Sequence, residues 1–281
     1  MNSTFQSIDQ TQDRYNVPAL QRGLQMLSLF RRERRELTGA DFSHELGLPR
    51  ASIFRILQTL EAAGYVERIE DSSRYRLGVA VLRLGFEYIA SMEITEHGRP
   101  ILDALRDSTG YSSHLVVRDA REVVVVAKSV GFAKLFNSIQ VGTRLPAHAT
   151  VLGRVLLSSL AEPALDRLFF GVTLKSFTAS TPTNLASLKQ MVREVALRGY
   201  GVSQGGFESG ISTIVAPVYG GGKSGTKREV QAALSITVPS AQISPDELTK
   251  LVDSVKAAAD QLTARITDTN SSTHAANQQA A

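Results

Sequence analysis

An arginine-containing segment, Leu48–Arg55, holds the residues best suited to specific chemistry. It reads LPRASIFR and places Arg50, Ala51, Ser52 and Arg55 in the first two turns of a predicted helix. An exposed guanidinium can donate two parallel hydrogen bonds to the acceptors of guanine. Side chains in the first turns of such a helix face base edges when it lies in the major groove. The spacing therefore indicates a helix that reads DNA.

Other basic and hydroxyl groups flank this segment and suit phosphate, which fixes register without reading sequence. They are Thr38, Ser52, Arg68, Arg74 and Arg76. Acidic residues are interleaved with the arginines of the first third, so ordinary solvated surface is the alternative for each arginine.

Two glycine-containing motifs suggest enzymes but have the wrong context. Gly201–Gly205 fits G-x-S-x-G, yet the only later histidine is His274 in the polar tail, and a hydrolase needs a helix after the serine. Gly220–Ser224 resembles the end of a phosphate-binding loop, but Pro217 stands where that loop needs glycine. We therefore expect no catalytic residue.

Three histidines are candidate metal ligands: His97, His114 and His148. They are widely separated, and the chain contains no HxH or HExxH spacing. With no cysteine, a thiolate zinc site is excluded. We expect neither a metal nor a cofactor.

The elements that must position Arg50 and Arg55 follow from apolar spacing. A first helix opens after Pro18, and a second spans Gly39–Leu46 with Thr38 as its N-cap and Gly47 as its end. The third helix restarts at Leu48–Ser52, and two short alternating runs follow as a hairpin, Tyr65–Arg68 and Arg74–Leu77. This is a helix-turn-helix with a wing.

The remainder of the chain predicts a sheet flanked by helices, an α+β fold. Amphipathic helices are expected at Val79–Ala90 and Ile101–Leu105, and further helices at Thr150–Leu160, Leu185–Arg198 and Pro245–Ile266. Strands are expected at Ser113–Val117, Glu122–Val130, Lys134–Ile139, Ile211–Tyr219 and Val230–Val238. The longest apolar runs are far shorter than the roughly 20 residues of a membrane span, and the N-terminus lacks an apolar signal region. A soluble, cytoplasmic protein that does not contact a membrane is expected.

The ordered motifs resemble one family over nearly the whole structured chain. LPRASIFRILQTLEAAGYVER and RYRLGVAVLRLG resemble the winged helix-turn-helix and linker of IclR-type bacterial regulators. VGTRLPAHATVLGRVLL, RGYGVSQGGFESG, STIVAPV and AALSITVPS resemble the successive signatures of its effector domain. The resemblance implies a GAF-like α+β effector domain, a homodimer or homotetramer, and control of promoter binding by small organic acids.

The same resemblance implies an effector pocket lined from four segments. Carried over by motif, its residues are Asn137, Val151, Leu152, Ser203, Thr213, Ser235 and Thr237. The backbone amides that start the Thr150 helix could hold an anion, and the hydroxyls could face one side of a sheet. The alternative is that the hydroxyls bond only local backbone.

Two positions depart from the family pattern. Many members carry a cysteine where Thr213 stands and an acidic residue where Ser203 stands, so a different, more anionic effector is expected. VGTRLPAHAT followed by GRVLL is most similar to the sub-branch that controls protocatechuate, para-hydroxybenzoate and β-ketoadipate catabolism. We expect an aromatic acid or a related dicarboxylate.

The predicted organisation has five parts. They are a disordered tail (1–16), the winged helix-turn-helix (17–78), linker helices (79–108), the effector-binding domain (109–267) and a second disordered tail (268–281). The predicted function is an effector-controlled, sequence-specific DNA-binding transcriptional regulator, with double-stranded promoter DNA and RNA polymerase as candidate partners. The competing hypothesis is a small-molecule sensor or enzyme that does not act on DNA; it would leave the helix-turn-helix spacing without a purpose.

Overall fold

A computed structural model describes residues 16–31, 33–132, 139–207, 210–220, 229–239 and 243–279, the last twelve of these by their backbone alone. The chain divides into two compact units, Met1–Ile89 and Ala90–Ala281. The predicted N-terminal tail, except for Asn16, lies outside the described residues. So do Asn137 and the predicted strand Lys134–Ile139, except for Ile139.

The first unit contains four helices and a small sheet among its described residues. In chain order they are α1 (Pro18–Leu29), β1 (Leu37–Thr38), α2 (Gly39–Leu46), α3 (Arg50–Ala62), β2 (Val66–Arg68), β3 (Arg74–Leu77) and α4 (Ala80–Ala90). The strands are antiparallel in the order β1-β3-β2. This is the predicted helix-turn-helix with its wing, extended by the short strand β1 that the sequence analysis missed.

Local chemistry sets the helix boundaries of this unit. Thr38 Oγ1 accepts a hydrogen bond from the backbone N of Asp41, and Asp41 Oδ2 accepts one from the backbone N of Thr38. This capping box starts α2 and confirms the predicted role of Thr38 as N-cap. Gly47, at φ 64°, ends α2 in the left-handed conformation that glycine adopts without strain. The next helix can therefore begin three residues later.

A compact core orients α3. Met26, Phe42, Ile53 and Leu57 are fully buried in it, together with Tyr75 from the wing. Because Ile53 and Leu57 lie one turn apart, they pack one face of α3 inward and leave the opposite face exposed.

In the described part of the second unit, a six-stranded antiparallel sheet lies between two helical layers. Its elements are α5 (Glu93–Thr109), β4 (Ser112–Asp119), β5 (Glu122–Ser129), β6 (Arg144–Pro146), α6 (Val151–Leu157), α7 (Glu162–Phe169), α8 (Leu185–Arg198), β7 (Gly201–Gln204), β8 (Ile211–Tyr219), β9 (Val230–Pro239) and α9 (Pro245–Gln279). The strand order is β6-β5-β4-β9-β8-β7. The α+β expectation is confirmed.

The two faces of this sheet bury different cores. Leu115, Ile214 and Leu234 point to the face covered by α5 and α9. Val116 and Val215 point to the face covered by α6. Since side chains alternate along a strand, this assignment fixes the face of neighbouring residues except at the register shifts opposite Val126 and at Val218.

The structure differs from the sequence expectations in several helices. α5 spans Glu93–Thr109 rather than Ile101–Leu105, and α7 was not predicted. α6 ends at Leu157 rather than Leu160. The backbone of α9 continues as helix to Gln279, so the disordered tail predicted from Asp268 is wrong for residues 268–279. An already nucleated helix propagates at low cost, and alanine and glutamine in this stretch favour propagation. Among the described residues, no helix is long and apolar enough to cross a membrane.

Candidate functional site

The exposed face of α3 carries the first candidate site. Arg50, Ala51 and Arg55 are exposed there, and Ser52 is half-buried. Within the part of the chain that the structure describes, the guanidinium groups of Arg50 and Arg55 form no hydrogen bond or ion pair. These two arginines are therefore available to an external partner.

The same face contains residues that sequence reasoning missed. Phe54 is 52% exposed, and Gln58 is exposed one turn beyond it. Ala51, Phe54, Arg55 and Gln58 recur at i, i+3, i+4 and i+7, the spacing of one helical stripe. Their exposure could have been predicted from the sequence, because the apolar spacing of Ile53 and Leu57 assigns the opposite face of α3 to the core.

The wing brings together some of the predicted phosphate-binding residues and not others. Thr38 lies directly opposite Arg74 in the small sheet, and Arg76 is two residues further on, so all three share one face. Arg68 lies opposite Tyr75, on the other face, and its Nε donates to the Ser72 carbonyl. The predicted cluster is therefore split between two faces.

The arginines on the shared face are already paired. Arg76 contacts Glu67 through Nε and Nη2 at 3.0 and 2.9 Å, and Arg74 Nη1 lies 3.4 Å from Glu36 Oε2. Thr38 donates its hydroxyl to Asp41. Exposed ion pairs of this kind contribute at most about 1 kcal/mol, so phosphate can compete for them.

The second candidate site is the α6 face of the large sheet. Ser203 lies opposite Thr213, and Thr213 lies opposite Thr237. Ser235 is on the same face, two residues from Thr237. Residues directly opposite on neighbouring antiparallel strands point the same way, so the four predicted hydroxyls form one polar patch. We call these residues the hydroxyl patch.

The side chains of the hydroxyl patch are not used internally. Ser235 and Thr237 are buried, and Ser203 and Thr213 are half-buried. Among the described residues, none of the four donates or accepts a side-chain hydrogen bond. The described residues thus show none of the local side-chain hydrogen bonds that the alternative requires.

Helix α6 crosses this face at close range. A Cβ added to Gly153 would overlap the backbone of Ala147, and one added to Gly201 would come within 2.5 Å of Val151. Two glycines thus let the helix, its preceding loop and β7 approach each other. Val151 and Leu152, both predicted to line the pocket, are buried at the start of α6.

The start of α6 is already capped from within the chain. Thr150 Oγ1 accepts a hydrogen bond from Gly153 N at 3.1 Å, and the helix has only seven residues. An anion at this helix start would therefore compete with the Thr150 hydroxyl for the backbone N–H of Gly153. The polar groups of the sheet are the stronger evidence for a ligand.

Two loops border the hydroxyl patch near Ser203. Thr178 Oγ1 donates to the carbonyl of Gly206 at 2.7 Å, and the rings of Phe177 and Phe207 lie 5.1 Å apart. His148 is next to this pair, with Nε2 3.0 Å from the Lys175 carbonyl and its ring 6.2 Å from Phe177. His148 therefore tethers the loop that contains Lys175 and Phe177.

The hydrolase motif has no catalytic geometry. Ser203 lies inside the edge strand β7 and is followed by a bend and another strand, whereas a nucleophile elbow needs a helix there. Among the described residues, no three histidine or acidic side chains converge as a metal site requires.

Family models match both units. The model described as "IclR helix-turn-helix domain" matches residues 19–70, and "Bacterial transcriptional regulator IclR C-terminal" matches residues 86–264. The second match alone covers more than half of the chain. The chain belongs to the IclR family of bacterial transcriptional regulators.

Similar proteins agree with this assignment. The regulator is 29% identical to the Escherichia coli (strain K12) HTH-type transcriptional regulator XynR over 232 residues, 83% of this chain and 90% of XynR. It is also 29% identical to the Pca regulon regulatory protein of Pseudomonas putida over 233 residues, 83% of this chain and 78% of that protein. The competing hypothesis of a sensor or enzyme without DNA finds no support, and the IclR-family chain is a regulator rather than an enzyme.

Solved structures share the fold. The IclR transcriptional regulator from Alicyclobacillus acidocaldarius superimposes with a TM-score of 0.77 at 25% identity, covering 90% of this chain and 100% of that one. An IclR homologue from Microbacterium hydrocarbonoxydans, solved with 4-hydroxybenzoate, gives a TM-score of 0.74 at 22% identity, covering 88% of this chain and 98% of that one.

Proposed function

We propose that the regulator reads its operator through the exposed face of α3. Arg50 and Arg55 would contact base edges in the major groove, with Ala51 and Ser52 beside them. The observation that carries this proposal is that both guanidinium groups are exposed and uncommitted among the described residues. A free guanidinium loses no internal partner when it binds guanine.

The wing arginines would contact phosphate. Arg74 and Arg76 are on one face with Thr38, and each would exchange an exposed carboxylate for a phosphate oxygen. Arg68, on the other face, would reach a separate stretch of backbone. Such contacts add affinity for any DNA and make binding depend on salt.

A homodimer or homotetramer would present two copies of α3 to a pseudo-palindromic site. Helix α4 supports self-association because it has no buried residue although it carries Leu82, Leu84, Phe86 and Tyr88, each more than half exposed. Leu82 and Phe86 lie on one side of the helix and Leu84 and Tyr88 on the other, and exposed apolar area of this extent is unusual on a monomer. We propose a cytoplasmic location, where promoter DNA and RNA polymerase are found.

The hydroxyl patch would bind the effector. Thr213, Ser203 and Thr237 form adjacent cross-strand pairs, and their hydroxyls make no hydrogen bond among the described residues. Asn137, which the family pattern adds to the pocket, is outside the described residues. The similar Microbacterium protein was solved with 4-hydroxybenzoate, and a relative is named for the Pca regulon. An aromatic acid or a related dicarboxylate is the proposed effector class.

Control of DNA binding would follow from a population shift. An acid that binds one conformation of the second unit more tightly favours that conformation, and operator affinity changes with it. The linker helices predicted at 79–108 join the two modules in the chain, so they are the proposed route of coupling. Lengthening this segment by a few residues should remove the response to acid.

A fluorescence-anisotropy titration tests the proposed function. The full chain is titrated onto labelled DNA from upstream of its own gene, and onto random DNA of equal length, near 150 mM salt. We expect specific binding tighter by about a thousandfold, shifted by 4-hydroxybenzoate or protocatechuate. Equal affinity for both DNAs would overturn the regulator proposal, and specific binding that neither acid shifts would overturn the proposed effector class.

A further inference from the structure

A buried histidine lies beside the hydroxyl patch. His114, in the middle of β4, is 2% exposed. In the described part of the chain, its Nε2 is a buried side-chain atom without a hydrogen-bond partner. Buried polar atoms are nearly always paired, and leaving one unpaired costs free energy. The unpaired nitrogen therefore points to a missing partner.

The sheet register places His114 on the α6 face. Its neighbour Ser113 donates to the Leu102 carbonyl on α5, so the alternation of side chains turns His114 to the opposite face. His114 lies directly opposite Ser235 on β9 and directly opposite Lys128 on β5. The three residues form a row across the sheet, two residues along from Thr237.

Lys128 brings a positive charge to this row. Its side chain is half-buried, and Nζ donates to the Ile139 carbonyl at 2.6 Å. Burial, aided by the charge of Lys128, lowers the pKa of His114 to about 3, so the imidazole is neutral at pH 7. The row thus presents a fixed ammonium beside a neutral, partly unsatisfied ring.

These features fit a carboxylate better than a neutral group. An anionic oxygen would accept a hydrogen bond from the imidazole N–H and interact with the Lys128 ammonium, which strengthens both contacts. Ser235 of the hydroxyl patch lies directly opposite His114, and Thr237 lies one strand spacing and two residues away, about 8 Å between Cα atoms from sheet geometry. A small acid with a second polar group can reach both.

We propose that His114 and Lys128 bind the carboxylate of the effector, while the hydroxyl patch binds its other end. This inference rests on the proposed effector function of the same sheet face and adds the residues that select acids. Neither residue belongs to the pocket that the family motifs imply. A lone histidine in an apolar strand gives no sequence signal, because only the register brings it opposite Lys128.

Calorimetric titration of the full chain tests the proposal. The probes are 4-hydroxybenzoate, protocatechuate and β-ketoadipate, together with the uncharged 4-hydroxybenzamide. We expect the preferred acid to be an aromatic one that binds at least tenfold more tightly than the amide. Lys128→Met should reduce acid affinity tenfold or more and leave amide affinity unchanged, which removes the preference.

The His114 variants test the hydrogen bond separately from the charge. His114→Leu should weaken both the acid and the amide, the acid at least as much, because its bond to the imidazole N–H is charge-assisted. His114→Gln, which keeps an N–H donor, should recover most of the loss. Lys250→Met, an exposed lysine on α9, is the matched charge control and should bind like the unchanged chain.

Three results would overturn the proposal: no acid binds the unchanged chain, Lys128→Met keeps the acid preference, or Lys250→Met loses it equally. Thermal unfolding of each variant shows whether it is folded. If His114→Leu is not folded, the result for Lys128→Met, at a half-buried position, tests the proposal. Operator binding by the same preparations is measured without acid. If operator preference persists while the acid preference is absent, this inference alone fails; if operator preference is absent, the proposed function fails.

Discussion

The two candidate sites hold their unsatisfied polar groups in opposite environments. Arg50 and Arg55 are exposed, so water satisfies their guanidinium groups until DNA arrives. His114 Nε2 is instead buried without a hydrogen-bond partner among the described residues, where bulk water does not reach it. The exposed arginines therefore cost little free energy when unpaired, whereas the unpaired imidazole nitrogen on the sensor face is costly. An acid that pairs with the buried nitrogen would stabilise one conformation of the sensor unit. DNA can bind the exposed arginines of α3 without any change in that helix.

The largest expected effect tests how tightly the sensor face is packed. Gly153→Ala should lower the free energy of unfolding by roughly 3 kcal/mol, because the new Cβ would overlap the backbone of Ala147. Gly39→Ala, at the start of α2, is the control, since nothing lies within 4 Å of its added Cβ. Urea denaturation followed by circular dichroism measures both. Equal stability changes would contradict the contrast in packing.

The second prediction separates base reading from phosphate binding. Arg55→Ala should weaken operator binding by roughly 1–3 kcal/mol and leave random DNA little changed. Arg74→Ala, in the wing, should weaken both DNAs by a similar factor and reduce the salt dependence. Anisotropy titrations at several salt concentrations measure these effects. If Arg55→Ala weakened both DNAs equally, its role would be phosphate contact.

The third prediction concerns the buried imidazole and pH. The unfolded chain binds a proton at His114 near pH 6.5, whereas the folded chain does so only near 3. Stability from this group is thus fully present above pH 6.5 and is lost as the pH falls. Between pH 7.5 and 5.0 the loss should be about 2 kcal/mol. Urea denaturation at the two pH values should show this loss in the unchanged chain and a smaller one in His114→Leu; the same loss in both would exclude His114 as its source.

The smallest expected effect is in the wing. Glu67→Gln breaks an exposed pair with Arg76, so the free energy of unfolding should change by less than about 1 kcal/mol. Freed from its carboxylate, Arg76 should bind any DNA slightly more tightly, with a steeper salt dependence. Anisotropy on random DNA measures this. A loss of affinity would show that Glu67 positions Arg76 for phosphate.

The sequence predicted the DNA-binding unit more completely than the sensor unit. Its helices follow local signals, such as the Thr38 cap and Gly47, that act within a few residues. The predicted strands Ile211–Tyr219 and Val230–Val238 were also recovered, because long β-branched runs carry their own signal. β7 was missed, since four residues that include Gly201 become a strand only by pairing with β8.

The candidate sites divide in the same way. The exposed arginines of α3 could be predicted from helical spacing, whereas the separation of Arg68 from Arg74 needed the strand register. The alignment of Ser203, Thr213 and Thr237 also depends on register between strands far apart in the chain. Local patterns cannot contain that information.

Reciprocal coupling is the most direct test of the account. The affinity of the preferred acid is measured by calorimetry for the free regulator and for the operator-bound regulator. Linkage requires the ratio of these affinities to equal the ratio of operator affinities with and without acid, in the same direction. We predict that both ratios differ from one and agree. An acid affinity that is identical with and without operator would contradict the claim that acid binding on the sensor face controls DNA binding.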